Sequence, residues 1–204
     1  CHILFVDDNS PDQTKNCIEK LQKRYPDTVF LLNRPKKEGI GPAYLSGFDW
    51  VLKRNYQLIA QMDADLSHRS EDLKQMVCNL SSFDGVIGSR YTNGGGTKNW
   101  SALRLAVSRF GSFYSQLCLG CSYKDFTGGF NLWRRQSLEC IDLKSVKSSG
   151  YMFQVEMKYR AFKAGLKLKE VPITFVERQN GKSKMSLQIV LEAVVQVPLL
   201  KRKV

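Results

Sequence analysis

A chain of 204 residues with 43% hydrophobic content is long enough to bury a substantial core, and its length fits one domain, or one domain with a small appendage. Lys and Arg number 31 against 19 acidic residues, a formal charge of +12, which points to an anionic partner such as a phosphate, a nucleic acid or a lipid headgroup. No stretch reaches the roughly 20 apolar residues that span a bilayer, and no charged, apolar, small-residue series opens the chain as a signal peptide does, so a soluble or membrane-peripheral protein is expected. Six scattered cysteines in mostly apolar segments suggest buried free thiols in a reducing compartment. Cys118 and Cys121 form a C-x-x-C, but no second pair completes a zinc site.

Apolar runs alternate with helical patterns along the chain: "HILFV", "VFLL", "QLIAQM" and "GVIGS" are each followed by a helix. That order predicts an α/β domain with a mainly parallel sheet. The first helix is announced by Ser10 as N-cap, Pro11 at the first helical position and Gln13 as capping-box partner, and it is expected to run to about Arg24, before Tyr25 and Pro26. A second helix is expected from near Pro42. A glycine-rich loop "TNGGGTKNW" then precedes a long helix from about Ser101, and "LKEVPITF" reads as a short strand before a basic loop. Because the chain opens directly on a strand, the natural N-terminus is expected to lie upstream.

Ligands in such sheets collect beyond the carboxyl ends of the strands. There the chain places Asp7, Asp8, Asn9 and Ser10 after the first run, Asp63 and Asp65 after the third, and Arg90 after the fourth. On an extended strand end, side chains at i and i+2 project to the same side, so Asp63 and Asp65 can face one cation, and oxygen ligands suit Mg²⁺ or Mn²⁺. A strand-ending turn capped by Asp65 is equally compatible with the spacing. Asp7, Asp8 and Asp12 read either as helix caps or as acceptors for a nucleoside. Gly39 and Gly41, ahead of a helix, allow backbone N–H groups to approach a pyrophosphate, although G-x-G also serves ordinary turns.

Arg104 and Ser108, four apart on a helix, share a face on which a guanidinium and a hydroxyl can grip one anion; a solvated basic face is the alternative. Arg178, Lys182 and Lys184 surround Gly181 as a lid over a charged leaving group or as a hairpin tip. From Leu187 to Leu200 only Gln188, Glu192 and Gln196 interrupt the apolar run, and Lys201, Arg202 and Lys203 follow. This segment reads as an amphipathic helix on an anionic membrane surface or as plain core packing.

The ordered segments "VDDNSPDQT", "GIGPAYLSGF", "DADLSH", "GSRYTNGGGTKNWSALRLAVS", "DFTGGF" and "RQNGKSK" resemble the dolichol-phosphate (polyprenol-phosphate) mannosyltransferases, within the family 2 glycosyltransferases. The resemblance implies a GT-A fold, Rossmann-like, with a mainly parallel sheet and helices on both faces. It divides the chain into a catalytic domain over 1–185, lacking a first strand-helix unit whose strand ends in P-x-Y-N-E, and a C-terminal amphipathic helix over 186–204. It implies transfer of mannose from GDP-mannose to a dolichyl or polyprenyl monophosphate, with inversion to a β-linked product.

By position, Asp63 and Asp65 resemble the metal and donor-diphosphate ligands for Mg²⁺ or Mn²⁺. Ser67 stands where some members carry Gln as a further metal ligand. Asp7 and Asp8, with Asp12 beside them, fall in the nucleoside pocket. Arg90, Arg104 and Ser108 match the acceptor-phosphate positions, Asp125 the acidic residue before the "GF" segment, and Arg178 with Lys184 the basic loop near the donor phosphates. The implied partners include a membrane surface and small membrane-anchoring subunits, and the implied location is the cytoplasmic face of a membrane, endoplasmic reticulum in a eukaryote and plasma membrane in a prokaryote. An acceptor phosphate, with a second pKa of about 6, attacks without a protein base, so neither His2 nor His68 is required. The rival readings are a polyprenyl-phosphate glucosyltransferase using UDP-glucose, separable by donor competition, and a basic nucleic-acid-binding α/β module, which gives no reason for aspartates at two strand ends.

Overall fold

The computed structural model describes residues 1–177 and 187–204, the side chains of 187–192 excepted. The chain forms two compact units, Cys1–Tyr56 with Lys147–Gly150, and Gln57–Val146 with Tyr151–Val204. The reason lies in the strand ladders, since the first two strands pair only with each other while the third opens a separate four-stranded sheet.

In the first unit β1 (Ile3–Asp7) and β2 (Val29–Asn33) run parallel, in a register from Ile3 opposite Val29 to Asp7 opposite Asn33. Helices α1 (Thr14–Arg24) and α2 (Ile40–Leu52) provide the connections. Helix α1 stops at Arg24 as expected, but it starts later than Ser10 predicts, at Thr14, with Gln13 as N-cap and no side-chain cap bond. Two local bonds explain the delay: Asp7 Oδ2 captures the Ser10 N–H at 3.1 Å, and Asp12 Oδ1 captures that of Thr14 at 3.0 Å. Asn9 meanwhile takes a left-handed φ of 57°, which a helical turn cannot continue.

The second unit holds a sheet in the order β3 (Leu58–Gln61), β6 (Asn131–Arg134), β4 (Gly85–Ser89) and β7 (Leu168–Pro172). Strand β6 is antiparallel to both its neighbours, whereas β4 and β7 are parallel. A short parallel pair joins β5 (Gly96–Lys98) to β8 (Thr174–Val176), so "LKEVPITF" makes two strands, parted at Ile173. All five residues of β4 are buried, the mark of a strand covered on both faces. Its consecutive residues show which helices cover it. Val86 packs into a cluster with Met76 of α3 (Ser70–Cys78), and Ile87 packs with Leu119 of α4 (Ala102–Leu119) and with Val155 and Tyr159 of α6 (Gly150–Lys163). Neighbouring strand residues point to opposite faces, so helices lie on both faces, as the sequence implied.

Helix α7 (Leu187–Lys203) packs on α4, with Tyr114 Oη donating to the Val194 carbonyl at 2.8 Å and with Val197 and Leu200 buried in the core, while Val195 is 61% exposed. The buried-thiol expectation is corrected: Cys1, Cys17, Cys78 and Cys140 are exposed and Cys121 is the buried one, because the exposed thiols sit at the terminus, on the outer side of α1 and at the last residues of α3 and of α5 (Arg135–Cys140).

Candidate active site

In the first unit the carboxylates beyond β1 hold the loop that follows β2. Asp8 Oδ2 accepts from the Glu38 and Gly39 N–H groups, each at 3.1 Å, and Asp8 Oδ1 accepts from Arg34, which also pairs with Glu38. The N–H of Gly39 read as free for a pyrophosphate is thus engaged by Asp8. Gly39 has a φ of +100° as the N-cap of α2, a region open chiefly to glycine, while Gly41 is buried within that helix. Arg34 is itself buried, and its role in fastening this acidic cluster has no sequence signal beyond one basic residue among several. The Asp12 carboxyl is held below its ordinary range by the Thr14 hydroxyl and N–H.

In the second unit Asp63 and Asp65 lie past the end of β3 in a bend, so the alternation of an extended strand is not what groups them. The bend is built by its own side chains. Leu66 adopts a left-handed φ of 64°, and the Ser67 N–H turns back to Asp65 Oδ1 at 3.1 Å while the Ser67 hydroxyl donates to the same oxygen at 2.5 Å. The Asp63 N–H donates to His68 Nδ1 at 3.0 Å, which places the ring proton on Nε2. Burial lowers the His68 pKa against the raising influence of Asp63 and Asp65, and the ring stacks on Phe130 at 4.6 Å. His68 is therefore a neutral, structural residue. The carboxylates of Asp63 and Asp65 and the Ser67 hydroxyl are hard oxygen donors, of a chemistry that suits Mg²⁺ or Mn²⁺, although among the described residues no group of three or more His, Cys, Asp or Glu side chains gathers to hold a metal ion.

The cationic residues form a second group in this unit. Arg90 is buried in a bidentate pair with Asp125, Nε to Oδ2 at 2.8 Å and Nη2 to Oδ1 at 2.7 Å, and Nη2 also reaches Thr127 Oγ1 at 2.9 Å. Asp125 further accepts from the N–H groups of Arg90 and Gly128, each at 2.9 Å. Burial opposes both charges, but their attraction prevails: Asp125 is held below the ordinary carboxylate range and Arg90 above its own. Arg90 and Arg104 both lie over the Trp100 ring, at 5.3 and 4.0 Å from its centroid. Ser108 joins through Tyr91, whose hydroxyl donates to Ser108 Oγ at 2.7 Å, and through Thr127 Oγ1 at 3.4 Å.

The structure thus brings Arg90, Arg104 and Ser108 to one cluster, although Arg104 and Ser108 do not share a partner: Arg104 Nη1 pairs with Glu177 at 2.5 Å. Among the described residues Arg104 Nε and Trp100 Nε1 are buried donors with no partner. Gly95 closes the glycine loop against this group, because a Cβ there would stand 2.5 Å from the Ser89 carbonyl oxygen. Arg178 and Lys184 lie outside the described residues.

Lys158 carries no signal in the sequence beyond one lysine among many. Its side chain is fully buried, and its ammonium donates to the carbonyls of Phe126 at 3.0 Å and Gly128 at 2.7 Å, pinning the loop that carries Asp125 and Thr127. Burial pushes its pKa down to about 8 despite the nearby Asp125. With the folded pKa below the unfolded value, the unfolded chain holds more protons between about pH 8 and about 10.4, so this group makes stability rise with pH across that window. In urea unfolding at a series of pH values, the stability of wild type relative to Lys158→Met is expected to rise by about 1–3 kcal/mol across that window.

The family model for glycosyl transferase family 2 matches residues 1–142, and the chain belongs to that family: it is a glycosyltransferase with a GT-A fold. It is 45% identical over 197 residues, 96% of this chain and 74% of the relative, to a polyprenol monophosphomannose synthase of Mycolicibacterium smegmatis. It is 44% identical over 195 residues, 96% of this chain and 80% of the relative, to an undecaprenyl-phosphate mannosyltransferase of Micrococcus luteus. Among solved structures, glucosyl-3-phosphoglycerate synthase from Mycobacterium tuberculosis in complex with Mn²⁺, uridine diphosphate and phosphoglyceric acid superposes with a TM-score of 0.65 at 14% identity, over 99% of this chain and 67% of that one. At that identity the likeness concerns the fold alone.

Proposed function

We propose that the enzyme transfers mannose from GDP-mannose to a dolichyl or polyprenyl monophosphate, with inversion at the sugar carbon, to give a β-linked polyprenyl phosphate mannose. The observation that carries this reading is the 45% identity across 96% of the chain to a polyprenol monophosphomannose synthase. The chemistry of the second unit supports it. Asp63, Asp65 and Ser67 supply the ligands for a divalent ion, which when bound offsets charge on the departing diphosphate. Arg104, with its unpartnered Nε beside Trp100 Nε1, and Ser108 receive the acceptor phosphate, and Arg90, fixed by Asp125, frames their cluster. The acceptor is already an anion at neutral pH, so positioning replaces a general base, in keeping with a neutral, buried His68. Asp7, Asp8 and Asp12, and Arg178 with Lys184, keep the donor-side roles that the resemblance assigns, whereas Asp125 serves by holding Arg90.

A membrane surface is the proposed setting, and α4 gives it a physical basis. Leu103, Phe110 and Leu117 are 76%, 52% and 71% exposed at a spacing of seven, which places them along one line of the helix. Arg109 and Lys124 line a cleft with Tyr91 and Phe113 in the same region. An apolar line flanked by cations suits an anionic lipid interface. Incubation with GDP-mannose, a polyprenyl phosphate and Mg²⁺ or Mn²⁺ is expected to yield lipid-linked mannose, inhibited by GDP and not by UDP. Preferential turnover of UDP-glucose would overturn the donor assignment.

A further inference from the structure

The second unit contains a buried chain of amides whose orientation is fixed at one end. Trp133, Asn131, Gln61 and Gln154 are 1%, 1%, 2% and 3% exposed. The indole N–H of Trp133 can only donate, and it donates to Gln61 Oε1 at 3.3 Å, where Asn131 Nδ2 also arrives at 3.4 Å. Gln61 must then present its Nε2 to the next member, and it donates to Gln154 Oε1 at 2.9 Å. Asn131 Nδ2 donates to that same oxygen at 3.2 Å. Rotating the Gln154 amide by half a turn would set N–H groups against two other N–H groups, so its Nε2 is forced outward from the network.

That Nε2 is buried and has no partner among the described residues, an arrangement that costs about 1–3 kcal/mol when nothing fills it. Its surroundings identify what does. A Cβ placed on Gly129 would stand 3.4 Å from Gln154 Nε2 and 3.7 and 3.8 Å from the two carboxylate oxygens of Asp63. Gly129 is half-buried and carries no side chain, so the amide and the candidate metal-binding carboxylate border the same point of its backbone. The group that accepts from an amide and donates to a carboxylate is a hydroxyl. A bare phosphate oxygen satisfies the first contact and is repelled by the second.

We propose that Gln154 is a specificity-determining residue whose Nε2 hydrogen-bonds a hydroxyl of the donor sugar, in the space over Gly129 beside Asp63. This rests on the reading of the protein as a transferase that uses a sugar nucleotide. Trp133, Asn131 and Gln61 act through Gln154 as positioning residues, and the amide meets its substrate without reorganising.

The test measures kcat/KM of the full chain with GDP-mannose and with donors lacking one hydroxyl each, for wild type, Gln154→Met and Gly129→Ala. In wild type one deoxy donor is expected to fall by about 10- to 100-fold. In Gln154→Met, GDP-mannose is expected to fall to that donor's level, while the deoxy donor loses nothing further and inhibition by GDP alone is unchanged. Gly129→Ala leaves the amide chain intact and fills the space, so it is expected to raise KM for GDP-mannose more than for the deoxy donor; it also serves if Gln154→Met does not fold. Equal losses on every donor overturn the proposal and leave Gln154 a structural residue or the host of a buried water. Unchanged kinetics overturn it as well. Failure of wild type to use any mannosyl donor would instead overturn the functional reading, and the same deletion series is then read with UDP-glucose.

Discussion

Replacing Asp65 by alanine is expected to lower transfer by about a thousandfold and to remove its dependence on Mg²⁺ or Mn²⁺. Among the described residues Asp65 is held by the turn it helps to make, through the Ser67 N–H and hydroxyl, so its loss leaves the core of the second unit intact. What disappears is one of two carboxylates in an all-oxygen donor set, and with it the charge that retains a divalent ion against a departing diphosphate. The check has two parts: transfer rates across a titration of metal, and GDP binding with and without Mn²⁺. The variant should bind GDP equally under both conditions, whereas wild type should bind it more tightly with the ion. Activity near normal with a preserved metal response would remove Asp65 from the site. Ser67→Ala is the informative companion, since it deletes the hydroxyl and keeps both carboxylates.

Asp125→Ala is expected to destabilise the fold by about 3–5 kcal/mol in urea unfolding, a larger stability effect than Asp65→Ala. Asp125 receives Arg90 through Nε and Nη2 and also the N–H groups of Arg90 and Gly128, and both side chains of the pair are almost wholly excluded from solvent. Removing the carboxylate leaves a buried guanidinium without its counter-ion, the costly case for ion pairs. The direction of the Asp125 shift sets its pH dependence. Its folded pKa is depressed, so its stabilisation is fully present above the unfolded value of about 3.9 and is lost as pH falls below that through the folded value. Acid unfolding of wild type should therefore steepen below about pH 4, and the variant should lack that component. A variant as stable as wild type would show the pair to be dispensable.

The sequence made the four strands of "HILFV", "VFLL", "QLIAQM" and "GVIGS" legible because each is an apolar run closed by polar residues, and it placed Asp63, Asp65 and Arg90 just beyond two of their ends. It concealed β6, whose four residues "NLWR" follow "GGF" and end on the first arginine of a pair, with no alternation to announce them. The start of α1 was misread because Ser10 and Asp12 carry the chemistry of caps, and only tertiary placement shows their bonds spent on a non-helical turn. Arg90 read as an anion receptor and is found clasping Asp125, 35 residues away. Gln61 and Gln154 are 93 residues apart and read as ordinary polar positions. Local pattern reports periodicity and punctuation, and it does not report which distant polar groups satisfy one another.

The reversed direction of β6 turns the length of the segment before it into a ruler. Asn131 stands opposite Gln61 and Ile87, and Trp133 opposite Ile59 and Gly85. Asn131 and Trp133 meet the amides, while Leu132 between them packs with Met76 and Val86 on the other face. Adding or deleting one residue between Asp125 and Asn131 slides β6 by one position and exchanges these faces. A leucine would then confront Gln61 and Gln154, and an asparagine would enter the apolar cluster around Met76. The spacing of "DFTGGF" is thus as constrained as its composition, and insertions or deletions there are the sequence changes this fold has least means of absorbing.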